Sequence, residues 1–179
     1  MHILLIVVAL CITFVYGVMN YDISYNAQNI KINYNDLLPV HKKQVDCLAE
    51  NIYFEAGREP EEGKVAVAMV TLNRVEHKSW PSTVCGVVRE RNSRVCQFSW
   101  WCEPHNHKKA VTNQYTPQEK VIYNKAKEVA LNVYINYDEL KKNDVTHGAY
   151  FYHATWMDPN WTHLKTVAVI GGHKFYVKK

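Results

Sequence analysis

"NIYFEAGREPEEGKVAVAMVTLNRV", residues 51–75, carries the end of one helix and most of the next. Upstream, the apolar positions Val45, Leu48, Ala49, Ile52 and Ala56 recur at helical spacing, which predicts a helix over 42–56 with one buried stripe. Gly57 follows, where a left-handed residue commonly ends a helix. Pro60 suits the first position of a second helix, because its missing N–H would have no partner there, and Glu61 and Glu62 favour the positive helix end. The body of that helix, "KVAVAMVTLNRV" (64–75), is apolar almost all round. It reads as a central, buried element.

A third helix opens at "TPQE" (116–119), where Thr116 can cap, Pro117 sits first and Glu119 can close a capping box. Val121, Ile122, Ala126, Val129, Ala130 and Val133 form its stripe. After Asp144 the texture changes to "THGAYFYHATW" (146–156) and "GGHKFYVKK" (171–179), short aromatic stretches flanked by glycine that read as strands or extended walls. The 179 residues suit one domain of the α+β class, mainly α, with a small strand-rich C-terminal part. It is expected over 41–179, after a polar arm at 19–40 rich in Asn and Tyr. The formal net charge of +4 is spread along the chain, with no basic run longer than two residues, which excludes a dedicated nucleic-acid patch.

Residues 1–18 stand apart. Ile3 to Val18, "ILLIVVALCITFVYGV", is apolar except at Thr13, Tyr16 and Gly17. A helix of that length covers about 24 Å, short of the roughly 30 Å hydrocarbon core, so a signal peptide cut after Gly17 is favoured over a permanent anchor. The expected location is therefore the cell wall, periplasm or exterior, with membrane contact only through an uncleaved leader. Removal of the leader leaves Cys47, Cys85, Cys96 and Cys102, an even number in an oxidising compartment, and predicts two disulfides. Sequence allows three connectivities. The short separation of Cys85 and Cys96 favours pairing them, which leaves Cys47 with Cys102. The rival use is zinc: "CEPHNH" (102–107) gathers potential ligands, but its spacing matches no structural zinc pattern. No metal and no cofactor is expected, and a monomer is.

Glu55 lies seven residues beyond Leu48, only about 20° round from it on a straight helix, so it borders the buried stripe. It also sits in the last turn, where the negative end of the helix dipole and partial burial both raise a carboxyl pKa. An acid kept protonated near neutral pH is what cleavage of a glycosidic bond requires. On geometry alone, an ordinary helix-end glutamate is the favoured reading of the position.

The stretch from "CLAENIYFEAGREPEEGKVAVAMVTLNRVEHKSWPSTVCGVV", through "QFSWW" (97–101), to "AYFYHA…W…GGHKFY" resembles the cell-wall hydrolase family typified by the bacterial spore cortex-lytic enzyme. The resemblance runs over roughly residues 45–177, in the family's order. It implies a lysozyme-like fold, peptidoglycan as substrate and partner, and Glu55 of "YFEA" as catalytic acid. It further implies lytic transglycosylation, in which one glutamate serves as acid and then base while the muramoyl 6-hydroxyl attacks within the same sugar. A two-carboxylate hydrolase needs a second acid roughly 5–10 Å away, and Glu103, Asp144 and Asp158 have no motif support for that role. The family usually reads Glu-Ala-Arg-Gly-Glu. Here Gly57 and Arg58 are exchanged, which alters the helix end. Glu59 lies beyond the glycine and is expected to face solvent or begin the next turn.

"QFSWW" combines the amide of Gln97, the hydroxyl of Ser99 and the aromatic faces of Phe98 and Trp100, a set suited to acetamido sugars; Trp101 serves equally as core. In "AYFYHA", Tyr150 and Tyr152 share one strand face and Phe151 and His153 the other. Family position points to Tyr152 and His153 as cleft residues, although His153 also fits a structural role. Asn73 and Arg74 read as structural. Two rival classes remain: a zinc amidase, for which no H-E-x-x-H spacing exists, and a non-catalytic wall-binding module, which would not need Glu55.

Overall fold

The computed structural model describes residues 32–92 and 95–179. The expected leader and most of the expected polar arm lie outside the described residues. Residues 37–179 form one compact unit, and the 3₁₀ turn Tyr34–Asp36 belongs to a separate N-terminal one.

Three long helices build the core: α1 (Pro39–Ala56), α2 (Glu61–Glu76) and, later in the chain, α6 (Pro117–Ile135). Helix α1 begins earlier than its apolar stripe suggests because Pro39 supplies a preset helical φ in the first turn. Its stripe of Val45, Leu48, Ala49, Ile52 and Ala56 is sealed from solvent. Helix α2 is central as expected, with Ala66, Val67, Ala68, Met69 and Val70 all buried. Pro60 is its cap residue, one place outside the helix. Helix α6 carries the full capping box: Thr116 Oγ1 accepts from the Glu119 N–H while the Glu119 carboxylate accepts from the Thr116 N–H. Its stripe buries Ala126, Val129, Ala130 and Val133, but Val121, near its N-terminal end, stands exposed.

Gly57 differs from expectation. Its φ of −56° is right-handed, and glycine is needed for space: a Cβ there would come 2.4 Å from the Tyr53 carbonyl oxygen and 3.1 Å from Ile122 on α6. The exchange of Gly57 and Arg58 therefore leaves the smaller residue where α1 meets α6 and turns the arginine outward, where it is exposed.

Between α2 and α6 the chain forms short pieces: α3 (Val84–Val88), a two-residue ladder of β1 (Arg91–Asn92) with β2 (Val95–Cys96), α4 (Ser99–Cys102) and α5 (Pro104–Thr112). The two expected disulfides form, with a different pairing: Cys47 bonds Cys85, and Cys96 bonds Cys102. The favoured Cys85–Cys96 pairing fails because α3 packs on α1 and directs Cys85 at Cys47. Cys96, on β2, faces the end of α4 instead. Since Cys102 is oxidised, "CEPHNH" has no free thiolate for a metal.

After α6, α7 (Tyr137–Leu140) leads to an antiparallel sheet of β3 (Phe151–Ala154), β4 (Leu164–Ile170) and β5 (His173–Lys178), in spatial order β3-β5-β4. Strand β4 was not legible as a strand: its burial is irregular and a bulge interrupts its register between Thr166 and Ala168. Phe175, fully buried, packs with Ala149 against Ala66 and Val70 of α2. Asn73 ties the same helix to the approach to β3, donating to Asp144 Oδ2 and the Ala149 carbonyl and accepting from the Tyr137 hydroxyl. Such a buried, satisfied polar cluster fixes the register of sheet on helix.

Candidate active site

A cleft of about 780 Å³ runs between the helical body and the sheet. Its helical wall is the last turn of α1, carrying Phe54 and Glu55, together with the segment 97–100 and then Glu103 and Asn106. The opposite wall is β3 and the loop after it, from Thr155 to Trp161, with Gly172 and His173 of the next hairpin. A second groove of about 400 Å³, reaching Tyr53, Arg58, Lys109 and Glu119, shares Phe54, Glu55, Glu59 and Asn106 with the first. Glu55 thus sits at the junction of two continuous depressions. A separate cavity of about 660 Å³, near Asn73, His77 and Lys141, contains none of the residues expected at the site.

All of the residues expected from sequence, Glu55, Gln97, Phe98, Ser99, Trp100, Tyr152 and His153, line this one cleft. They differ in how they do so. Ser99 is exposed, Gln97 half-buried, and Phe98 and Trp100 nearly buried. The Trp100 ring stacks on Phe54 at 4.4 Å between centroids, and its Nε1 donates to Asn51 Oδ1, so it braces the end of α1 from beneath. Trp101 lies outside the cleft, edge-on to His107 and under the Arg89 guanidinium. His153 is buried and both ring nitrogens are engaged, Nδ1 with the Ala154 carbonyl at 2.8 Å and Nε2 with the Tyr176 hydroxyl at 2.6 Å. A carbonyl only accepts, so Nδ1 carries a proton, and in the neutral ring Nε2 accepts from the tyrosine. This is a wall residue with no free nitrogen.

Glu55 is pushed up to about 7, chiefly by burial, with the nearby Glu103 carboxylate acting in the same direction; the Tyr152 hydroxyl and Arg74 act in the opposite one. The Tyr152 hydroxyl is out of solvent and lacks a hydrogen bond of ordinary geometry, yet it lies close enough to Glu55 for each to alter the other's proton affinity. Arg74 Nε donates to the Tyr150 carbonyl at 2.8 Å, and its guanidinium lies over the rings of Trp80 and Phe98. Its buried Nη1 is unpaired. Arg74 therefore holds the fold and also presents positive charge to the cleft. The cue in the sequence was an arginine inside an otherwise apolar helix, since a buried cation requires partners.

Glu59 lies in the turn ahead of α2, one of the two places expected for it, and departs from the other. Rather than facing solvent, its carboxylate accepts from the Gly172 N–H at 2.8 Å, and Lys64 Nζ donates to its carbonyl. A Cβ at Gly171 or Gly172 would come 2.3 Å or 2.7 Å from that carboxylate. The two glycines let the β4–β5 turn close over Glu59, which fixes this turn, and His173 with it, beside the cleft. Among the described residues, no three His, Cys, Asp or Glu side chains gather as metal ligands would.

A mainly helical body with a small antiparallel sheet across a cleft from a glutamate of raised pKa defines a lysozyme-like domain. The chain belongs to the cell wall hydrolase family, whose sequence profile matches residues 58–176, beginning just after Glu55. Two solved structures share the fold. The catalytic domain of SleB from Bacillus cereus is 29% identical, with a TM-score of 0.51 over 76% of this chain and 91% of that one. The catalytic domain of the germination-specific lytic transglycosylase SleB from Bacillus anthracis is 26% identical, with a TM-score of 0.54 over 80% and 98%. Among curated proteins, the spore cortex-lytic enzyme of Oceanobacillus iheyensis is 33% identical over 88 residues, 46% of this chain and 32% of that protein. The enzyme of the same name from Bacillus subtilis is 32% identical over 85 residues, 44% and 28%. The chain thus aligns with about a third or less of the length of these relatives.

Proposed function

We propose that this chain is an exported enzyme that cleaves the glycan strands of peptidoglycan by lytic transglycosylation, with Glu55 as acid and then base. The observation that carries the reading is a carboxyl raised to about 7 at the meeting point of two grooves, where a polymer can pass across it in both directions. Protonated Glu55 donates to the glycosidic oxygen as the bond from the muramoyl C1 breaks. The carboxylate so formed takes the proton of the 6-hydroxyl, whose oxygen closes on C1 to give a 1,6-anhydro end. Arg74 and Tyr152 steady the transient carboxylate, the first by charge and the second as a donor. Gln97 and Ser99 supply polar contacts to the acetamido sugars, and Phe98, Trp100, Tyr152 and His153 shape the walls. The two disulfides accord with an oxidising location.

Hydrolysis to a reducing end is the second reading, favoured by Glu103, which lines the same cleft and could activate water. Mass spectrometry of digested sacculi separates the two. Anhydro-muramoyl ends are expected; reducing ends alone would establish hydrolysis, and freed peptides without glycan cleavage would remove the proposed function.

A further inference from the structure

The most exposed large apolar side chain among the described residues is Trp156, at 84%. It belongs to the loop between β3 and β4 and lies on the wall of the cleft that contains Glu55. The loop is held at several points. The Thr155 N–H donates to the Gly172 carbonyl at 2.7 Å, the Met157 N–H to the Ala154 carbonyl at 2.9 Å, and the Asn160 N–H to Asp158 Oδ1 at 3.2 Å. Trp161 closes the far end by docking its ring edge-on against His153 and Tyr176. The two tryptophans of one short loop thus have opposite fates, Trp161 packed on the sheet and Trp156 presented to water, with no ring contact to it among the described residues.

We propose that Trp156 is a sugar-binding platform at the rim of the cleft, taking the apolar C–H face of a pyranose ring of the glycan strand at a distance from the bond being broken. The inference rests on the glycan-cleaving reading and adds a binding position to it. A pyranose fits better than a protein surface or a lipid tail because the exposed apolar area is small, a flat indole with the Met157 side chain next to it, and lies beside polar neighbours, Thr155 and Asp158, whose oxygens can meet sugar hydroxyls. The platform is also continuous with a cleft that already offers an amide and a hydroxyl, Gln97 and Ser99, to the same strand. The tethered loop means that little conformational freedom remains to be lost on binding.

The test uses the full exported chain carrying Glu55→Gln, so that binding is measured without turnover, and peptide-free glycan strands as the probe in titration calorimetry. Trp156→Ala in that background is expected to weaken binding roughly fivefold or more, with Trp156→Tyr recovering most of it. The melting temperature should be unchanged, because the ring is exposed. In the chain with Glu55 intact, Trp156→Ala should raise KM on sacculi much more than it lowers kcat, the pattern of a contact present before and during the reaction. Binding by Trp156→Ala within about twofold of its parent would overturn the proposal. So would absent glycan binding by the parent, or an affinity for anionic phosphatidylglycerol vesicles that falls with Trp156→Ala while glycan affinity holds. Cleavage that survives Glu55→Gln is a separate outcome: it removes the assigned acid and leaves the binding result to be judged by itself.

Discussion

Replacing Glu55 with glutamine keeps the shape of the side chain and removes its proton, and its effects on stability and on activity should have opposite signs. The carboxyl titrates near 7 in the folded chain, against an ordinary 4.5. Because the folded value is raised, the proton is bound more tightly in the native state, and ionising the group costs stability. Below pH 4.5 both states are protonated and glutamine should change little. As pH rises from 4.5 through 7, the wild-type chain should lose stability relative to the variant, and above 7 the difference should be complete. At 1.36 kcal/mol per pH unit the gap corresponds to about 3 kcal/mol; discounting for the solvent that still reaches the side chain leaves about 2 kcal/mol. In a chain of this size that is about 4–8 °C in Tm. Glycan cleavage, in contrast, should fall by at least the ~10²–10⁴-fold typical of lost general acid catalysis. Wild-type activity should itself decline as pH rises through about 7. Thermal melts at pH 4 and pH 8, alongside release of soluble fragments from sacculi, read both effects. A folded Glu55→Gln chain that is no more stable than wild type at pH 8 and still cleaves sacculi at a near wild-type rate would refute the reasoning.

Glu59→Gln should retain most activity, since an amide oxygen can still accept from the Gly172 N–H, whereas Glu59→Ala should lower Tm and activity together by freeing the β4–β5 turn; a turnover assay paired with a melt separates the two. Removing the Cys47–Cys85 bridge by double alanine substitution should cost more stability than removing Cys96–Cys102, about 4 against about 2 kcal/mol from the chain-entropy relation for separations of 38 and 6 residues. Activity at a temperature where both variants are folded should show the reverse order, because the shorter bridge encloses the segment that carries the cleft residues Gln97 to Trp100. Alkylation of the unreduced chain should label none of the four cysteines, and reduction should expose all of them.

The long helices were legible in the sequence because the cues that form them are local. The stripe of α1, the apolar body of α2 and the Thr116–Glu119 capping box each depend on residues within a turn or two of one another. Gly57 was misread for the complementary reason: a glycine that ends a helix by conformation and one that makes room for a neighbouring helix look alike until Ile122 is in place. The cysteine pairing failed on the same ground, since separation in sequence says nothing of α3 docking on α1. Strand β4 was hidden by its bulge and by a surface of mixed polarity. Glu59 takes its place from the β4–β5 hairpin, which brings Gly172 to it from far along the chain, and Trp156 from the cleft wall it shares with Glu55, neither of which is visible locally.

The proposed acid shows how sequence and structure divide the work. Glu50 and Glu55 lie on the same helix, and burial raises both to about 7. Proton affinity alone would therefore nominate either. Their surroundings decide between them: Glu50 faces Arg89, whose Nη2 lies 3.6 Å from its carboxylate, and it is absent from both grooves, whereas Glu55 opens on the two of them. Five residues of helix amount to about 500° of rotation, or 140° beyond a full turn, so the two carboxyls leave α1 on different sides. The periodicity that buries Leu48, Ile52 and Ala56 thus turns Glu50 toward an ion pair and Glu55 toward the cleft. The resemblance in sequence points to Glu55, and the fold adds a physical ground for the proposal, a raised proton affinity at the one of these two positions that opens on the grooves.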